Sequence, residues 1–148
     1  MEQVSAKDPY SPIWWNVAFM PRDTVHWWDV ITVKWARHVL CWGYVVQTRS
    51  WLVVNPAIDK TIVCSIPDDE FDEYLSVILE ADATILQIKA GHTKVLSQRI
   101  LQNCSTVVAR VIGINGPALT PKMLYKRLRA NNATVKVDPF NVCKSPSP

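Results

Sequence analysis

Residues 39–55 read VLCWGYVVQTRSWLVVN, and this stretch decides the fold. Two runs rich in β-branched and aromatic side chains, Val39–Gln47 and Trp51–Asn55, flank the polar connector Thr48-Arg49-Ser50. Runs of this kind on either side of so short a connector predict an antiparallel hairpin. The pairing has a consequence for distant residues. The start of the first strand must face the end of the second, so His38 and Asn55 are expected to be neighbours.

Outward from the hairpin the same signals continue. Thr61–Ile66 predicts the next strand of a meander, and Ile13–Met20 (IWWNVAFM), closed by Pro21, predicts an earlier one. Between them Asp23 or Thr24 caps a short helix reaching to about Val33, with Val25, Trp28, Ile31 and Trp35 at helical spacing. Pro67-Asp68-Asp69-Glu70 opens another helix, proline and acids suiting its first turn, and Phe71, Tyr74, Leu75, Ile78 and Leu79 form its apolar stripe. Asp82 ends that helix and Thr84–Lys89 returns as a strand; His92–Leu96 reads as strand and Ser97–Gln102 as loop. A helix begins at Asn103, carries Val107, Val108, Val111 and Ile112 on one face, and stops at Gly113. Thr120-Pro121 starts the last helix, with Met123, Leu124, Tyr125 and Leu128 facing inward, and Val135–Val137 is a final edge strand. The expected class is α+β: an antiparallel sheet meander with a cysteine-bearing helix packed on it. A single domain over 13–138 lies between an N-terminal arm, 1–12, and a C-terminal tail, 139–148.

Composition narrows the function classes. With 148 residues, 49% of them hydrophobic and 20% charged, the chain can bury roughly 70% of its unfolded surface without metal or disulfide support. The net charge of +3 is small, and Lys122, Lys126, Arg127 and Arg129 read as the solvated face of a helix, so no nucleic-acid partner is predicted. No apolar run is long enough to span a membrane, and Met1-Glu2-Gln3-Val4 has no signal-peptide pattern. Cys41, Cys64, Cys104 and Cys143 lack zinc-site spacing, as do His26, His38 and His92, so no metal or other cofactor is expected and the thiols are expected to be free. All seven tryptophans fall in the first 51 residues, where they read mainly as core, with some left to line a groove or an interface.

Three side chains carry candidate chemistry. Cys104 stands at a helix start, where the helix dipole favours a thiolate; it is either a nucleophile or a small residue packed at a helix end. His38 stands at the start of a strand, from which an imidazole reaches towards a helix docked on the sheet; it is either a general base or a structural histidine. Asn55 ends the partner strand, either to orient that imidazole or as a turn residue before Pro56, with Asp59 as the substitute orienter.

The order His, Asn, Cys on a meander followed by a cysteine-bearing helix resembles the circularly permuted branch of the papain-like cysteine hydrolases, whose familiar members are the NlpC-type cell-wall peptidases and the lecithin-retinol acyltransferase-like proteins. A closer likeness is to short proteins of tailed phages and prophages, carried by Trp27-Trp28, Arg37-His38, Trp51–Pro56, Cys104–Ile114 and Leu119–Leu128, an ordered set across residues 27–128. The resemblance implies a cysteine hydrolase cutting an amide, with a peptidoglycan peptide as the expected substrate, in a virion tail. Cys104, His38 and Asn55 would be its catalytic residues. Gln98, which precedes Cys104 at a spacing shared with unpermuted papain-like enzymes, and Gln102 are the oxyanion candidates. It also implies virion tail or neck partners in multiple copies, and residence in the host cytoplasm during assembly and in the virion afterwards. The alternative is a non-catalytic structural component of a tail or neck that uses the same fold.

Overall fold

The computed structural model describes residues 9–21, 35–57, 60–91, 103–114, 116 and 118–139. Its elements are β1 (Trp14–Met20), β2 (His38–Val45), β3 (Ser50–Pro56), β4 (Thr61–Pro67), α1 (Phe71–Glu80), β5 (Thr84–Lys89), α2 (Cys104–Val111), α3 (Pro121–Ala130) and β6 (Thr134–Val137). The predicted helix over 23–33 and strand over 92–96 fall outside the described residues. The fold is α+β. The strands form one six-stranded sheet in the order β4-β3-β2-β1-β5-β6, with every neighbouring pair antiparallel.

The β2–β3 hairpin forms as its residues dictate, but its first strand starts one residue earlier and ends two residues earlier than expected. Val46 and Gln47 join Thr48 and Arg49 in the turn, where Arg49 takes φ 49°. Pro67 closes β4 and does not open a helix; α1 starts only at Phe71, after a turn in which Glu70 N–H donates to Pro67 O at 3.1 Å. Proline has no N–H to give a ladder, so it fits the last position of an edge strand as well as a first helical turn.

Both faces of the sheet's central strands are covered. On one, Val17, Phe19, Val39, Cys41, Val54, Leu86 and Ile88 meet Val108, Ala109 and Ile112 of α2 and Leu124 and Leu128 of α3. On the other, Ala18, Leu40, Trp42, Val53 and Ile85 meet Phe71 and Ile78 of α1. Two residues expected inside are not: Leu79 and Met123 are exposed. Each stands at the margin of its helix's apolar stripe, and a short helix on an open sheet buries only the stripe's centre. The tryptophans divide similarly. Trp15 and Trp42 are core, Trp35 and Trp51 pack against it, and Trp14 is exposed.

Candidate functional site

His38 and Asn55 come together. His38 opens β2, Asn55 is the penultimate residue of β3, and the His38 ring Nε2 lies 2.8 Å from Asn55 Oδ1. An amide oxygen only accepts, so Nε2 carries the proton and donates, and in the neutral ring Nδ1 is the basic nitrogen. The bond fixes both the tautomer and the ring plane. Both residues are half-buried.

Cys104 is the first residue of α2, and its position is firmly built. Asn103 caps the helix: its Oδ1 accepts from Thr106 N–H at 3.0 Å, and its own N–H donates to Thr106 Oγ1 at 2.8 Å. Its side-chain amide also donates to Leu119 O at 2.6 Å, tying the start of α2 to the start of α3. This reciprocal cap is a part of the site that sequence reasoning missed, although the Asn103-x-x-Thr106 spacing signals it. Asn103→Ala is expected to cost about 1 kcal/mol of stability and to fray the turn that carries the thiol; urea unfolding with circular dichroism measures it.

The direction of α2 follows from its other end. Gly113, at φ 76°, leaves the helix against Gly91, whose N–H donates to Ile112 O at 2.9 Å, and a Cβ on Gly91 would collide with the Gly113 carbonyl. Gly91 lies just past β5, at the end of the sheet where Lys89 pairs with Trp14 and Trp15 with Gly43. The eight residues of α2 span ~12 Å along β2 and β3, against which the helix packs, so Cys104 is directed to the opposite end, where β2 begins and β3 finishes. That is the end occupied by His38 and Asn55.

The pleat qualifies this convergence. His38 pairs with Met20 and has the parity of Leu40 and Trp42; Asn55 has the parity of Trp51 and Val53. Both therefore belong to the face that α1 covers, whereas Cys104 packs with the α2 and α3 cluster on the other. The expectation that His38 projects towards the docked helix is corrected in that respect. The thiol and the imidazole share an end of the sheet and approach it from opposite faces. The ladder between β2 and β3 runs from Val45↔Ser50 only to Cys41↔Val54, so His38 lies beyond it, at the sheet's margin. Asp59, Gln98 and Gln102 lie outside the described residues.

The thiols differ by environment. Cys41 is buried in the core, and burial pushes its thiol far above the ordinary cysteine range. Cys64 is exposed and Cys104 half-buried. Alkylation with iodoacetamide is therefore expected to label Cys64 readily and to reach Cys41 only on unfolding, as peptide mass mapping would show.

Among the described residues no group of His, Cys, Asp and Glu could hold a metal ion, and no helix is long and apolar enough to cross a membrane. No family model, curated protein or solved structure matches the chain.

Proposed function

We propose that the protein is a papain-like cysteine hydrolase that cleaves an amide bond, a peptidoglycan stem peptide being the favoured substrate, in a phage tail. The observation that carries this reading is the His38 Nε2–Asn55 Oδ1 bond, because it sets the ring tautomer, with Nδ1 the basic nitrogen, as in a cysteine-histidine-asparagine site; the reading also requires His38 and Cys104, which reach one end of the sheet from opposite faces, to meet at its margin. In the proposed reaction Nδ1 takes the Cys104 proton and the sulfur attacks the amide carbonyl. The imidazolium then protonates the departing amine, leaving a thioester. Water, deprotonated by the same nitrogen, attacks the thioester to release the acid and restore the thiol. The capped start of α2 directs backbone N–H groups towards the developing oxyanion.

Two experiments test the reading. Incubation with muropeptides should release a new amino terminus from a stem peptide, and His38→Ala should stop the release; no cleavage of any stem peptide by the wild type overturns the substrate assignment. The geometry is tested without substrate. In a chain carrying Cys64→Ser and Cys143→Ser, His38→Cys should form an intramolecular disulfide with Cys104 on treatment with diamide, which takes up the two electrons and two protons. A disulfide needs Cα atoms within about 7 Å. Disulfide formation supports the convergence of Cys104 and residue 38; because an imidazole reaches further from its Cα than a thiol, cleavage by the wild type against His38→Ala decides the hydrolase reading.

A second reading, a structural tail or neck component, has its own support. Tyr10, Ile13 and Trp14 present large apolar side chains to solvent within one short stretch, as a surface used for assembly does.

A further inference from the structure

Among the described residues, β4 presents an unpaired outer edge. β4 ends the sheet, and its residues TIVCSIP are exposed along the strand apart from half-buried Ile66. Ile62 and Val63 are 46% and 60% exposed. The strand has no charged residue, and among the described residues no strand pairs with its outer edge. Edges of this kind are normally blunted by inward charges, bulges or extreme shortness, because their open N–H and C=O groups recruit another strand.

The backbone groups that face outward can be assigned. Ala57 N–H donates to Lys60 O, so that pair is hydrogen-bonded across the β3–β4 turn. Bonded and non-bonded pairs alternate along an antiparallel ladder. Ile62, Cys64 and Ile66 therefore direct their N–H and C=O to β3, opposite Asn55, Val53 and Trp51. Thr61, Val63 and Ser65 direct theirs outward. Pro67 faces the same way, and its missing N–H costs β3 nothing.

We propose that β4 pairs antiparallel with β4 of a second copy of this chain, about a two-fold axis through Cys64, joining the two sheets into one. Cys64 is the middle residue of the strand, so this register uses its whole length. Val63 and Ser65 of one copy exchange ladder bonds with Ser65 and Val63 of the other. Ile62 of each copy lies opposite Ile66 of the other, and the two Cys64 residues face each other, in the closer non-bonded positions on the α1 face. Just past the strand ends, Lys60 of each copy lies opposite Asp68 of the other; Asp68 opens the turn to α1, its N–H still donating to Arg49 O at 3.3 Å and its carboxylate accepting from Trp51 Nε1–H at 2.8 Å. The same register thus matches the backbone groups of Val63 and Ser65, the apolar side chains and the opposite charges, while Thr61 O, opposite Pro67, gains no N–H; this self-complementarity selects a second copy as the occupant.

Sedimentation equilibrium on the full chain tests it. A monomer–dimer equilibrium is expected. Val63→Pro, which removes an outward N–H and no bond to β3, should leave a monomer. Lys60→Glu, a surface change that leaves the strand intact, should weaken the dimer ~10-fold or more by setting like charges opposite each other. In a chain carrying Cys104→Ser and Cys143→Ser, diamide should join the two copies through Cys64. A monomer at every concentration overturns the proposal, whether the edge is bare or serves a different protein. A dimer indifferent to Lys60→Glu, or one that diamide cannot join at Cys64, overturns the register.

Discussion

Replacing Cys104 by alanine should lower kcat for stem-peptide cleavage by on the order of 10⁴-fold or more, to background. The size follows from its proposed role: without the sulfur no thioester forms, and the remaining residues only bind and orient. His38→Ala should cost about as much, because nucleophile and base act as a unit, and the double variant should lose little beyond either single one. Asn55→Ala should cost less, about 10²-fold, since it releases the ring and leaves the reacting groups in place. Asn55→Asp tests the orienting role separately: a carboxylate also accepts from Nε2–H, so activity should persist, and the acid limb of the pH profile should move upward because the nearby negative charge favours imidazolium. The measurement is initial rate of amine release across pH, with circular dichroism on each variant. Retained activity in Cys104→Ala would remove the thiol from the chemistry.

Phe19→Ala is the core substitution with the largest expected effect, about 3–5 kcal/mol. Phe19 is fully buried, and its ring meets Tyr125 edge-on at 5.5 Å and Trp35 at 6.1 Å; Trp35 and Tyr125 are themselves 5.0 Å apart and perpendicular. These three rings dock α3 on the sheet beside the strand start that carries His38, since Phe19 pairs with Val39 and Met20 with His38. Removing the central ring opens a cavity and strips both neighbours of contacts. At roughly 2–4 °C per kcal/mol for a chain of this size, a melting temperature about 10 °C lower is expected by calorimetry. An unchanged melting temperature would show that α3 is anchored elsewhere.

Local signals in the sequence were reliable where the chemistry is local. Thr120-Pro121 begins α3 as its cap and first residue, with Thr120 Oγ1 accepting from Met123 N–H at 3.2 Å. Gly113 stops α2 in the left-handed region that glycine tolerates. The closeness of His38 and Asn55 was legible for a similar reason: a short connector fixes which residues of two strands face each other, and the 2.8 Å bond follows from that register. The face they occupy was not legible. β2 is buried on both sides, with Val39 and Cys41 under α2 and Leu40 and Trp42 under α1, so its side chains carry no alternation of polar and apolar to mark inside from outside. Parity then says that His38 shares a side with Leu40 without saying which helix lies there.

By itself the sequence determined the hairpin, most helix limits and the His38–Asn55 pairing, because capping, turn chemistry and ladder register act over a few residues or across one short connector. Tertiary structure decided the rest. After β4 the chain crosses by α1 to the far side of β1, which puts α1 and α2 on opposite faces and leaves β4 at the end of the sheet. Those choices depend on contacts between elements far apart in the chain, and apolar stripes specify that a surface must be covered without naming the element that covers it.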